Sequence, residues 1–298
     1  YRETLRLLAR VGVSEHSVLQ RRPLELIFQG ASGKRVCIRA PRLPAPWHLL
    51  AAILTAEGMS VGARWALLRA CAWMRIRNFS LPRDITVDEW AKQLRQPEEA
   101  VRYFWEPLCV AALSTPYTRA SAQVFLRVCR DAFSRARADS DLLVVQRPLA
   151  EILPGPAERF LKAQGVDIRL RTRARRLLIE QGRVHGIMCS DGEVRAEHVI
   201  LAVPVDPLRE LLSDIPSLNA MLIRLAGIFS EPITTVYLRY ARDLALPSPM
   251  IGLLNGPGQW LFDLAYHGEP GRVAVVISGS GKMTRRPKEE VEHAVVSQ

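Results

Sequence analysis

The stretch from Trp105 to Asp131, WEPLCVAALSTPYTRASAQVFLRVCRD, constrains this chain more than any other part. It is apolar enough to be core, yet it carries Glu106, Ser114, Thr115, Ser121, Gln123 and Asp131. Burying a polar group without a partner costs roughly 1–3 kcal/mol on protein-based scales. Such a segment therefore lines a cavity, or packs where each polar group meets a partner. Two packed helices joined by a turn at Ser114-Thr115-Pro116 satisfy the same pattern.

Around this stretch the chain alternates in character. Leu24–Phe28 and Arg35–Arg39, joined by Gly30-Ala-Ser-Gly33, read as a β-hairpin. Prolines 41, 44 and 46 then mark a linker. Helical patterns follow over 47–57, 61–77, 87–94, 97–113 and 121–135, the third supported by a Thr86/Glu89 capping box. Beyond Arg147 a short helix (157–164) ends at Gly165, and strands are expected at 167–170, 174–180, 184–190 and 199–203. Gln181-Gly182 and Asp191-Gly192 supply the turns. A helix begins at 207, and further strands are expected at 234–239, 250–254, 260–264 and 273–278. The first residue is Tyr1, and residues 1–10 and 288–298 read as helices without outer caps, as expected of a fragment.

Composition excludes several classes. The net charge of +11 invites a nucleic-acid reading, but 36 of the 41 basic residues are Arg and they are scattered. The nearest cluster, Arg169, Arg171, Arg173, Arg175 and Arg176, alternates like a strand with one solvated face and has no interleaved aromatics. Nucleic acid is not an expected partner; attraction to an anionic membrane surface is. No apolar run reaches the roughly 18 residues of a spanning helix. Cys37, Cys71, Cys109, Cys129 and Cys189 are odd in number and lack C-x-x-C, which points to a reducing compartment. The six histidines show no ligand spacing, so no metal is expected.

Gly279-Ser-Gly281-Lys282-Met283-Thr284 follows an apolar run but fails the spacing of both a P-loop and a dinucleotide loop. No G-x-G-x-x-G exists to set a pyrophosphate against a helix start.

The blocks WEPLCVAAL-x-TP and RASAQVFL resemble the bacterial hydroxysqualene dehydroxylases, squalene-associated flavoproteins of the amine oxidase and phytoene desaturase superfamily. RAPRLPAPWHLL (39–50), AEHVILAVP (196–204), TTVYLRY (234–240), GPGQWLFD (256–263) and AVVIS (274–278) match in the same order. The resemblance implies an α/β fold of mixed α+β character. An incomplete FAD-binding domain (147–213) is interleaved with a helical and β-sheet substrate domain (1–146 and 214–298). It implies FAD as cofactor, with the backbone of Ala174 at the adenine and Ala202, Val203 and Pro204 close to the cofactor. Because the family's glycine loop and C-terminal flavin segment fall outside this sequence, the chain alone is expected to bind FAD poorly.

The implied substrate is an isoprenoid in a long apolar cavity, with Trp105, Leu108, Phe125, Trp260 and Phe262 as candidate liners. Removal of an allylic-type hydroxyl passes through developing positive charge, which aromatic faces attract. A carboxylic acid with a raised pKa must protonate the leaving hydroxyl, and Glu106 and Asp263 are the candidates. The implied setting is cytoplasmic, with peripheral contact at the inner face of the cell membrane and other squalene-pathway enzymes as partners. A related amine oxidase or carotenoid desaturase, and a degenerate non-catalytic binding protein, are the alternatives.

Overall fold

The computed structural model describes residues 1–30, 33–240, 244, 246–279, 281 and 283–298. The chain divides into two compact units, Tyr1–Ala157 with Glu231–Gln298, and Glu158–Ser230. The smaller unit sits against the 147–213 expected for the cofactor part.

In the larger unit, β1 (Leu19–Arg22) precedes β2 (Glu25–Gly30) and β3 (Arg35–Arg39), and β4 (Leu142–Val145) returns to pair antiparallel with β1. The β2–β3 hairpin forms in register, Glu25 opposite Arg39 and Gln29 opposite Arg35. Residues 31 and 32 of its expected turn lie outside the described residues. In the smaller unit β5 (Ala174–Glu180), β6 (Arg183–Cys189) and β7 (Gly192–Arg195) form a three-stranded meander. Gln181 (φ +51°) and Gly182 (φ +75°) close β5–β6 with the left-handed pair of a type I′ turn. Back in the larger unit, β8 (Ile233–Arg239), β9 (Met250–Leu254), β10 (Trp260–Asp263) and β11 (Arg272–Ser278) join the hairpin in a six-stranded sheet, order β3-β2-β9-β10-β11-β8. Only β2–β9 is parallel in this sheet.

Two expected strands are absent. Over 167–170, Arg169 pairs with its neighbour Asp167 and Arg171 is left-handed (φ +60°), so the extended alternation breaks before β5 begins. The arginine run is thus not one strand face. No described strand pairs with 199–203, so its backbone forms no ladder, and Ile200 is 91% exposed. The loop at 279–284 includes residues 280 and 282, which also lie outside the described residues.

The helices start where local chemistry satisfies their first N–H groups. Ser60 accepts from Ala63 N–H, Ser121 from Val124 N–H, and Thr86 and Glu89 form the full capping box. The expected helix over 97–113 is interrupted by a π-helical turn, Val101–Trp105, before Glu106–Leu113. Pro107 has no N–H to give the preceding turn, and the ladder widens so that Glu106 N–H donates to Val101 C=O. The core of this unit joins β2 and β3 to the helices 47–54, 61–76, 87–93 and 122–133. At its centre Trp105 meets Trp90, Phe104 and Phe125 edge to face at 5.0, 4.8 and 6.1 Å.

Candidate functional site

The polar groups of Trp105–Asp131 resolve one by one. Ser114 is left-handed (φ +50°) and ends its helix, and Thr115 donates to Leu113 C=O. Ser121 caps the next helix and donates to Asp84. Gln123 accepts from Leu81 N–H and donates to Phe79 C=O, and Asp131 pairs with Arg130 at the surface. The Glu106 carboxyl has neither hydrogen bond nor ion pair to a described residue. Burial pushes its carboxyl above the ordinary range, and Arg102 pulls it partly back. Burial likewise pushes the Cys71 and Cys109 thiols up to about 12 and raises Cys129, so these are inert core thiols.

A cavity of about 570 Å³ lies in the larger unit, within the size range of small-molecule sites. Leu108, Trp260, Phe262 and Asp263 line it, with Phe28 and Met250 from adjoining strands. Trp105 instead borders a separate cavity of about 190 Å³, and Phe125, with no exposed surface, belongs to the aromatic core and lines neither. Both rings are taken up by packing on Trp90, which leaves them no face for a ligand in the larger cavity. Glu106 lines neither cavity.

The cavity lining is mostly apolar but includes Asp139, Ser140, Asp141, Asp263 and His267. Asp139 is paired with Arg2 at 2.9 Å, and Asp141 with Arg137 at 2.9 Å and Arg21 at 3.7 Å. Asp263, 7% exposed, has no ion pair among the described residues; its Oδ1 accepts from Ala265 N–H at 2.9 Å. Trp260 is 5% exposed, and its indole N–H has no hydrogen-bond partner among the described residues. Leaving such a donor buried and unmet costs roughly 1–3 kcal/mol. Sequence reasoning missed the Asp139–Asp141 segment, whose only signal was its position before the short apolar run of β4.

The smaller unit holds a second concave site of about 550 Å³, lined by Ala174, Val203 and Pro207 with Arg173, Arg175 and Glu210, the last paired with Arg173 at 3.3 Å. Ala202 and Pro204 flank Val203 at the start of the helix Val205–Leu212, which packs on β5. Small side chains and the Arg175 guanidinium suit an anionic nucleotide, while Glu210 holds the Arg173 guanidinium. Among the described residues no group of three or more His, Cys, Asp or Glu is placed to hold a metal ion.

These features define a class before they define a reaction. The family of flavin containing amine oxidoreductases matches residues 1–298, and the chain belongs to it. Within that class it is similar to the hydroxysqualene dehydroxylase of Zymomonas mobilis subsp. mobilis (strain ATCC 31821 / ZM4 / CP4), 23% identical over 291 residues. That match covers 95% of this chain, and the chain spans 63% of the length of that relative. Among solved structures, a double mutant of putrescine oxidase superposes with a TM-score of 0.70 at 15% identity, covering 99% of this chain and 67% of that one. An oxidoreductase from Methanosarcina mazei gives 0.69 at 12% identity, covering 94% and 65%. Cyclohexylamine oxidase from Brevibacterium oxydans IH-35A gives 0.61 at 14%, covering 98% and 65%. These structural likenesses show a shared mixed α/β fold. No helix among the described residues is long and apolar enough to cross a membrane.

Proposed function

We propose that the protein is an FAD-dependent oxidoreductase that removes the hydroxyl of hydroxysqualene to give squalene, a step toward hopanoids. The observation that carries this reading is the larger cavity. It is apolar along most of its wall, yet it holds Asp263, which has no ion pair among the described residues. A long hydrocarbon with one hydroxyl matches that inventory. The similarity to a hydroxysqualene dehydroxylase supports it.

In this reading the site around Ala174 and Val203 would hold the nucleotide end of FAD, with Arg175 as the cation for its phosphates. When bound and reduced, FAD supplies a hydride. The chain's residues do the rest. Leu108, Phe262 and Trp260 bind the hydrocarbon and exclude water. Asp263 is the acid placed to pass a proton to the substrate oxygen. The C–O bond then breaks with its electron pair leaving as water, and carbon takes the hydride. Aromatic faces on Trp260 and Phe262 stabilise the positive charge that develops on carbon. Glu106, the other candidate acid, lies outside the cavity lining and has no direct reach to the substrate in this reading. An apolar substrate of this class arrives from a bilayer, so contact with the inner face of the cell membrane belongs to the same reading.

An amine substrate is the other reading, favoured by three carboxylates on the cavity wall. Two of them, Asp139 and Asp141, are already neutralised by arginine, which leaves one for an ammonium group. FAD-loaded full-length protein, incubated with a reductant and hydroxysqualene, should yield squalene by gas chromatography and mass spectrometry. Aldehyde release from amines under oxygen, with no squalene formed, would overturn the first reading in favour of the second.

A further inference from the structure

Two helices of the larger unit turn an apolar face outward. On Trp47–Leu54, His48, Leu49, Ala52 and Ile53 are buried, while Trp47 is 63% and Leu54 50% exposed. On Val61–Ile76, Ala63, Ala66, Leu67, Ala70, Cys71 and Met74 face inward. The opposite side carries Val61, Trp65 and Ile76, exposed by 67%, 63% and 83%, with Ala72 in the same row. Single exposed apolar residues are ordinary; a stripe at helical spacing beside a second such face is not.

The charge along this segment is predominantly basic. Between Ala40 and Arg83 the chain holds six arginines, at 42, 64, 69, 75, 77 and 83, and one acidic residue, Glu57. None of the six arginines forms an ion pair with a described residue. Arg64 donates to the Leu54 and Met59 carbonyls and Arg69 to those of Leu94 and Arg95, which fixes both guanidinium groups beside the helix. Glu99, at the start of Val61–Ile76, is taken up by Ser60 and Lys34. The cavity of about 190 Å³ reaches the same face, lined by Leu50, Leu68, Ala72 and Arg75 outside and Cys71 and Trp105 within.

We infer that this face docks on a bilayer containing anionic lipid. Exposed Trp beside aliphatic residues with flanking arginines is the chemistry of an interfacial helix. Trp47 and Trp65 sit at headgroup level, and Arg75 and Arg77 meet lipid phosphates. A second copy of the chain is a poor occupant, because a two-fold contact would oppose like-charged arginines. A single-stranded nucleic acid would use the tryptophans but not Leu54, Val61 and Ile76. The inference names the surface for the membrane contact proposed above, and it rests on surface features that do not involve the reaction.

Flotation with vesicles tests it. The protein should bind vesicles of two parts phosphatidylcholine to one part phosphatidylglycerol, and bind phosphatidylcholine alone weakly. The pair Trp47→Ala/Trp65→Ala and the pair Arg75→Glu/Arg77→Glu should each lower affinity by on the order of tenfold or more. In unmodified protein, dibrominated lipid should quench tryptophan fluorescence, which needs no variant to fold. Absence of binding to anionic vesicles, or wild-type binding by both folded variants, would overturn the inference. So would shielding of Trp47 and Trp65 from acrylamide without lipid, the sign of a protein partner or second copy. Squalene formation in detergent micelles reads the reaction separately, so failure of one leaves the other standing.

Discussion

Asp263 accepts the Ala265 N–H through Oδ1 at 2.9 Å and so caps the short helix Leu264–His267. Its second oxygen has no hydrogen-bond partner among the described residues, and the residue lines the larger cavity. One oxygen is structural and the other is available to a ligand. Asp263→Asn keeps an acceptor for the cap but has no acid proton. Its thermal stability should stay near wild type while turnover of hydroxysqualene falls by about 10²–10⁴-fold. Asp263→Ala should in addition lose about 0.5–2 kcal/mol of stability, the worth of a cap. Thermal melts beside single-turnover assays separate the two roles; full turnover in the Asn variant would leave the cap alone.

Glu106 carries a pH dependence of fixed sign. Burial holds its folded pKa above the ordinary value of 4.5. The folded state therefore binds the proton more tightly than the unfolded chain does. The stability it contributes is complete below the unfolded value and is lost as pH rises through the folded value. Glu106→Gln imitates the protonated form at every pH. The two proteins should have matching denaturant midpoints in acid, and the wild type should fall behind the variant toward neutrality. If Glu106 is also the acid, turnover in the variant drops by about 10² or more. Equal midpoints at neutral pH would place the carboxylate in water.

Trp260 offers the reverse test, a removal that should not destabilise. Its indole N–H is buried without a partner among the described residues. Trp260→Phe keeps an aromatic wall and removes the unmet donor. Stability should be unchanged or higher, by up to about 1–3 kcal/mol offset by the smaller ring's lost packing. If the N–H binds substrate oxygen, KM for hydroxysqualene should rise, while a hydrocarbon analogue without the hydroxyl binds as before. Equal losses for both ligands would assign Trp260 to packing alone.

What could be read from the sequence tracks the range of the interaction. The Thr86/Glu89 capping box, the Gln181-Gly182 turn and the β2–β3 hairpin involve near neighbours, and all were legible. The β1–β4 pairing joins Leu19–Arg22 to Leu142–Val145, far apart in sequence, and neither segment shows a strong pattern alone. Residues 199–203 look like a strand by composition, but a strand exists only with a partner. Two expected liners, Trp105 and Phe125, lie off the cavity wall, and for Trp105 the reason is specific. In a regular helix position 105 would continue the row of 108, 111 and 112, which do line the larger cavity. The wide turn ending at Trp105 breaks that row and sends the indole to the Trp90 and Phe125 rings. Pro107 was visible, but the direction of the re-aimed side chain was not.

The last test concerns how the cavity wall is built. Gly252 on β9 stands in register with Phe28 on β2 and Trp260 on β10, whose ring centroids lie 5.6 Å apart. A Cβ at Gly252 would fall 2.1 Å from Phe28 Cδ1, inside any real contact distance. The glycine is therefore the space in which the Phe28 ring lies, and both rings line the cavity. Gly252→Ala must push Phe28 aside, at a cost of about 1–3 kcal/mol for overpacking. The displaced ring has the cavity on one side and Trp260 on the other, so substrate binding should weaken together with stability. Phe28→Ala removes the obstacle at its own cost. In that background Gly252→Ala should cost much less, giving a double-mutant coupling of at least about 1 kcal/mol by denaturant unfolding. Additive effects would mean that the two residues do not share this space.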